Sequence, residues 1–200
     1  MKEQVYYLKD NCFPYHYKPL KIRQKCGGAD SYFYKLIHNI LVEDDNITSY
    51  FSSGVTKIVY NTINKNKLFK MVVVKSRINL SLKEPLYMLT NNDICNKPSN
   101  ITVYISKESE KNLTYHNNLH IINIENDYCL ITWFEEKALS TGRDISDPLA
   151  VLKLDSFLNK TRSKIKKDGF CDLSLNNMGI FEFSPIYRWI DIRPIAKLNV

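Results

Sequence analysis

The chain has 200 residues, 44% of them hydrophobic, with a formal net charge of +7 and a pI near 9.0. That is enough apolar material to bury a proper core, and the length fits one domain or a small domain with an extension, one domain being the default. No apolar run reaches membrane-spanning or signal-peptide length, and the expected protein is soluble and cytoplasmic.

Five cysteines, Cys12, Cys26, Cys95, Cys129 and Cys171, are dispersed without a Cys-x-x-Cys pair. This pattern argues against a disulfide framework and a zinc finger and points to a reducing compartment. The bias toward Asn, Lys, Ile and Tyr is that of an AT-rich genome, as in a virus, a phage, a parasite or a low-GC bacterium. Codon bias then accounts for part of the lysine excess, and the net charge favours nucleic acid or an anionic surface only mildly. Asn-x-Ser/Thr triplets at Asn46, Asn79, Asn100, Asn112 and Asn159 are read as accidents of an Asn-rich chain.

Residues 1–25 mix aromatics with Pro14 and Pro19 and predict an extended, packed arm. Phe33, Leu36, Ile37, Ile40 and Leu41 follow i, i+3, i+4, i+7, i+8 spacing, predicting a one-faced helix over 30–42, capped by Asp30 or Ser31 and ended by Glu43-Asp44-Asp45-Asn46. Residues 55–135 read as strand-rich. Val55 to Ile63 and Leu68 to Ile78 form a hairpin about the turn Asn64-Lys65-Asn66-Lys67. A short strand is expected at Leu86-Tyr87-Met88-Leu89, followed by a polar break over 90–100. Ile101 to Ile105, Leu119 to Ile124 and Tyr128 to Phe134 are further strands, the last two joined by Glu125-Asn126-Asp127. Ser146-Asp147-Pro148 is a strong helix start and Asp168-Gly169 a fitting stop, giving a helix over 147–168. The tail is extended at 180–183 and 186–192. The expected architecture is α+β: a single domain over 1–200, with a central, mainly antiparallel sheet and two principal helices.

One constellation suggests catalysis. Cys26 lies in Gln24-Lys25-Cys26-Gly27-Gly28-Ala29-Asp30, ahead of the first helix, where unpaired N–H groups and the positive dipole end favour a thiolate. His120, on the strand Leu119 to Ile124, is the candidate base. Asp127, on the turn into the next strand, and Glu135, at that strand's far end, are candidates to orient it. A thiol hydrolase needs such a nucleophile, base and orienting group. The arrangement resembles the papain-like and transglutaminase-like cysteine enzymes, in which a cysteine at a helix start meets a histidine on a strand and an Asp or Asn on the following strand. The resemblance covers residue order and two short segments. It implies a cysteine-dependent hydrolase or transferase acting on protein or peptide amides, viral or host-delivered. Cys26 would attack a carbonyl, His120 would shuttle the proton, and backbone N–H groups at Cys26 would hold the oxyanion. No metal or organic cofactor is required.

The alternative is a basic nucleic-acid-binding protein of a virus or phage. Lys153, Lys160, Lys164 and Lys167 fall close to one stripe of the second helix and could neutralise phosphates, with Arg162 and Lys166 beside them. In the tail, Tyr187-Arg188-Trp189 could stack bases or pack the guanidinium. A solvated helix face explains the lysines as well. Asp127 with Glu135-Glu136-Lys137 loosely resembles the acidic and Glu-x-Lys pattern of restriction-type nucleases, at a shorter spacing. Ser140-Thr141-Gly142-Arg143-Asp144 lacks the Gly and Lys spacing of a phosphate loop and reads as a connection into the second helix.

Overall fold

β-Branched and aromatic residues alternate on either side of the 63–66 turn, and they build the hairpin at the centre of the first unit. In the computed structural model, which describes residues 36–37, 39–41, 44, 46–53, 57–74, 76–114 and 117–196, β2 (Lys57–Thr62) pairs antiparallel with β3 (Lys67–Val74). Two compact units emerge among these residues. One includes the described residues up to Ser81 and Ser99–Glu135, the other Leu82–Pro98 and the residues from Glu136 onward.

The first unit is a six-stranded sheet in the order β1-β2-β3-β6-β4-β5. Its other strands are β1 (Ile47–Ser53), β4 (Ser99–Ile105), β5 (His120–Asn123) and β6 (Cys129–Glu136). β1 with β2 and β6 with β4 are antiparallel, whereas β5 lies parallel to β4, so the sheet is mixed. A one-turn helix, α2 (Lys107–Glu110), leaves β4, with the Ser106 hydroxyl accepting from the Ser109 N–H at its start.

Because side chains alternate along each strand, register sorts them onto two faces. One face carries Ile58, Tyr60, Phe69, Met71 and Leu130, packed with Leu36, Ile37, Ile40 and Leu41. Those four are among the five apolar positions expected of the first helix, Phe33 lying outside the described residues, and residues 36–37 and 39–41 are helical. The other face carries Val59, Lys70, Val72, Val103, Ile105, Ile131, Trp133 and Glu135, all buried.

The sequence expectation is corrected at several places. Residues 86–89 are not a strand but belong to α1 (Ile78–Thr90). Pro85 inside that helix removes one N–H donor and interrupts the pattern by which the helix would have been read. β1 was not expected at all, because its sequence ITSYFSS is half hydroxylic and offers little apolar alternation. The 55–63 and 68–78 strands are shorter, and β5 and β6 do not pair with each other, since β4 runs between them.

In the second unit, α3 (Pro148–Lys167) forms as its start signal dictates: the Asp147 carboxylate accepts from the Ala150 N–H at 2.8 Å and Pro148 opens the first turn. Leu154, Leu158 and Ile165 form its buried stripe, in one cluster with Met88, Cys95, Phe170, Met178, Trp189 and Ile192. A small antiparallel sheet orders β10 (Tyr187–Trp189), β9 (Met178–Ile180) and β7 (Ser140–Thr141), and β8 (Phe170–Cys171) pairs with β11 (Arg193–Pro194). Trp189 Nε1–H donates to the Thr161 hydroxyl at 2.9 Å, and that hydroxyl donates to the Phe157 carbonyl. The 140–144 segment is β7 followed by a 3₁₀ turn, Gly142–Asp144, in which the Asp144 carboxylate accepts from the Thr141 N–H and hydroxyl. It leads into α3 as the sequence suggests.

Candidate functional site

The members of the thiol constellation are not brought together among the described residues. Cys26 lies outside them, as do the 1–25 arm and the start of the first helix. His120 opens β5 with an exposed ring, opposite Thr102 of β4. Thr102 in turn lies opposite Thr132 of β6, so His120 and Thr132 share a face. Glu135, three residues further along β6, points to the other face. It is 3% exposed, accepts from Trp133 Nε1–H at 2.6 Å and pairs with the Lys70 ammonium at 2.7 Å. Glu135 therefore does not orient His120. Asp127 is exposed in the turn that follows β5, while His120 is at that strand's start. Three residues of strand separate His120 from the end of β5, about 10 Å.

The same geometry removes the nuclease pattern, because Glu135 is committed to Lys70 inside the sheet. Among the described residues no group of three His, Cys, Asp or Glu side chains could hold a metal ion. Of the described cysteines, Cys171 is half-buried beside the Arg193 side chain. Cys95 and Cys129 are buried, and burial pushes the Cys129 thiol up to about 11. The Cys171 thiol donates to the Arg193 carbonyl at 3.3 Å.

α3 presents a different kind of feature. It carries six basic residues, Lys153, Lys160, Arg162, Lys164, Lys166 and Lys167, against one acidic residue, Asp155. At about 100° per residue, Lys153, Lys160, Lys164 and Lys167 fall within about 60° of one another, flanking the buried stripe, along about 21 Å of axis. All four are exposed. Lys164 is engaged: its ammonium donates to Asn91 Oδ1 at 2.6 Å and to Asp168 Oδ2 at 3.3 Å, and lies 5.3 Å from the Tyr87 ring centroid. Tyr87 in turn donates its hydroxyl to Asp168 Oδ2 at 2.7 Å. Partial burial and this bond hold the Tyr87 hydroxyl above its ordinary pKa, and the same bond, followed by Lys164, holds the Asp168 carboxyl below its own. Lys153, Lys160 and Lys167 make no hydrogen bond or ion pair among the described residues.

The tripeptide considered for base stacking is structural. Trp189 is fully buried. The Arg188 guanidinium donates to Glu136 Oε2 at 2.7 Å and to the Phe183 and Pro185 carbonyls, and lies 4.4 Å from the Phe181 ring centroid. Tyr187 packs on Phe157 and donates to the Ala150 carbonyl. Of the two roles considered for this segment, packing the guanidinium is the one found.

Sequence reading missed the Lys70–Glu135 pair. A signal was present: Lys70 interrupts the apolar run Leu68 to Val74, and a lone cation buried there requires a carboxylate. No protein-family model matches this chain, and no curated protein matches it either. No helix among the described residues is long and apolar enough to cross a membrane.

Proposed function

We propose that this is a basic nucleic-acid-binding protein, with the lysine ridge of α3 as its binding surface. The observation that carries the reading is the ridge itself: exposed lysines aligned on a rigid 20-residue helix, with one acidic residue on the helix and, among the described residues, only Lys164 of the four in an ion pair. Such a ridge attracts polyanions and releases their counterions on binding, so affinity falls steeply with salt. Arg162 lies outside the ridge, because at about 100° per residue it falls on the opposite side of α3 from Lys153. The test is fluorescence anisotropy with a labelled oligonucleotide across a salt series, using the wild-type chain and Lys153→Glu/Lys160→Glu/Lys167→Glu. Binding that weakens with salt in the wild type and is lost in the variant is the expected result. Equal binding by both proteins overturns the reading.

One observation favours a second reading, the cysteine-dependent hydrolase or transferase acting on protein or peptide amides. The His120 ring is exposed and makes no hydrogen bond among the described residues, so it could serve as a base. With Glu135 and Asp127 elsewhere, this would be a Cys26–His120 dyad without an orienting acid. Its test is the pH dependence of Cys26 alkylation by mass spectrometry, in the wild type and in His120→Ala. Activation of Cys26 well below the free-thiol pKa of about 8.5, lost without His120, supports the dyad. An ordinary thiol in both proteins overturns it.

A further inference from the structure

We infer that the α3 ridge takes the phosphate backbone of a double helix in preference to a single strand, and without reading sequence; this rests on the nucleic-acid reading above. Lys153, Lys160 and Lys167 recur every seven residues, so their stems leave the helix about 10.5 Å apart along its axis. The rigid row suits a ligand whose phosphates are already fixed in space. A groove about 12 Å wide, flanked by two phosphate rows, offers such an array, with one charge per about 1.7 Å of duplex axis. A single strand would have to be ordered on the ridge, and that ordering lowers its affinity.

Proteins that bind single strands offset this by stacking bases on exposed aromatic rings. The aromatics along α3 are otherwise engaged. Phe157 is half-buried between Tyr187 and Trp189, at 5.9 and 6.3 Å between centroids. Tyr87 lies against Phe170 at 4.5 Å, with the Lys164 ammonium over its ring. Among basic side chains Arg reads base edges through a rigid fork, whereas Lys acts as a flexible point charge. The helix's one arginine, Arg162, falls on the opposite side of α3 from the ridge, with its Nε–H on the Leu173 carbonyl, so the ridge presents ammonium point charges.

The exposed aromatic of this unit is Phe183, on the turn between β9 and β10, and it supplies the control. The experiment is competition anisotropy with the full chain, comparing duplex DNA, duplex RNA and single-stranded DNA of matched length, each in two unrelated sequences, with Phe183→Ala alongside. Three phosphates at salt slopes of about −0.9 each for duplex and −0.7 for single strands separate the ligands about fourfold at 0.1 M salt. A duplex preference of that size, indifferent to sequence and unchanged in Phe183→Ala, is expected. The DNA and RNA arms show which duplex geometry the ridge prefers. Single strands bound equally or better, with loss in Phe183→Ala, would overturn the duplex inference while leaving nucleic-acid binding intact. Binding of none of the probes would overturn both.

Discussion

Lys70 of the first unit and the α3 lysines of the second are treated in opposite ways. The first draws Lys70 inside the sheet, at 6% exposure, and neutralises it with Glu135. The second buries Arg188 against Glu136 but leaves Lys153, Lys160, Lys164 and Lys167 on the outside of α3, and of these four Lys164 alone is ion-paired among the described residues. A buried charge must be paired, since desolvation makes an unpaired one costly, and the pair then specifies strand placement and is closed to ligands. An exposed lysine costs little and contributes little to stability, but it remains open to a polyanion. Substitutions in the first unit should therefore change folding, and those on the ridge should change binding.

The largest expected effect is at the buried pair. Lys70→Ala takes the Lys70 ammonium away from the buried Glu135 carboxylate and should destabilise the chain by about 3–5 kcal/mol. Lys70→Met/Glu135→Leu should recover only part of that loss: an apolar pair of similar volume does not carry the desolvation cost, but the buried Trp133 indole N–H loses its Glu135 acceptor, at about 1–3 kcal/mol. Urea denaturation with an unchanged slope would show this. If Lys70→Ala unfolds at the wild-type midpoint, the pair contributes nothing.

Next is the small sheet of the second unit. A Cβ at Gly179 would lie 2.7 Å from Ile190 Cγ2 and 2.8 Å from Ala138 Cβ, so Gly179→Ala overpacks the strand and should cost about 1–3 kcal/mol. Thr161→Val takes away the acceptor of the buried Trp189 indole N–H and should cost a similar amount, about 1–3 kcal/mol. Both are read from denaturation midpoints. A neutral Thr161→Val would mean the indole does not depend on that hydroxyl.

These effects also mark what the sequence could tell. The helix of 148–167 was legible almost to the residue, because Asp147 and Pro148 start it by local chemistry and Leu154, Leu158 and Ile165 keep its period. The 57–74 hairpin was legible from its β-branched runs and polar turn. β1 and α1 were not, since both depend on tertiary context. β1 pairs with β2 despite a hydroxyl-rich sequence, and α1 persists through Pro85. For the site, helical spacing placed the four lysines on one flank. The thiol constellation rested on residue order alone, which cannot say that Glu135 and His120 face opposite sides of a sheet. That is decided by the register of β4 with β5 and β6, a property of three strands distant in sequence.

On the ridge the expected effect on stability is small and the effect on binding specific. Single Lys153→Gln, Lys160→Gln or Lys167→Gln substitutions should stay within about 0.5 kcal/mol of the wild type in unfolding free energy. Each should weaken polyanion binding uniformly across sequences and reduce the salt slope by about 1. Lys164→Gln should reduce the slope less, since Lys164 already donates to Asn91 and Asp168. If all four behave alike, the Asp168 pair does not hold Lys164 back from the ligand.

The smallest effect tests that pair directly. The Asp168 carboxyl sits below its ordinary pKa because Tyr87 donates to it and, after that, because Lys164 does. A lowered folded-state pKa adds stability that is present above the unfolded value of about 3.9 and lost as pH falls through the folded one. With the Asp168 side chain 40% exposed, solvent screening keeps this contribution small. Tyr87→Phe removes the hydroxyl and should raise the Asp168 titration midpoint toward the ordinary carboxylate range, as followed by NMR of the carboxyl carbon. It should also flatten the loss of stability in acid. The Lys164 ammonium loses its bond to the Tyr87 hydroxyl at 3.3 Å but stays over the ring and beside Asp168. It should therefore remain only partly available to a polyanion, and salt slopes should hardly move. A large gain in slope would show that Tyr87, rather than the carboxylate, holds that lysine in place.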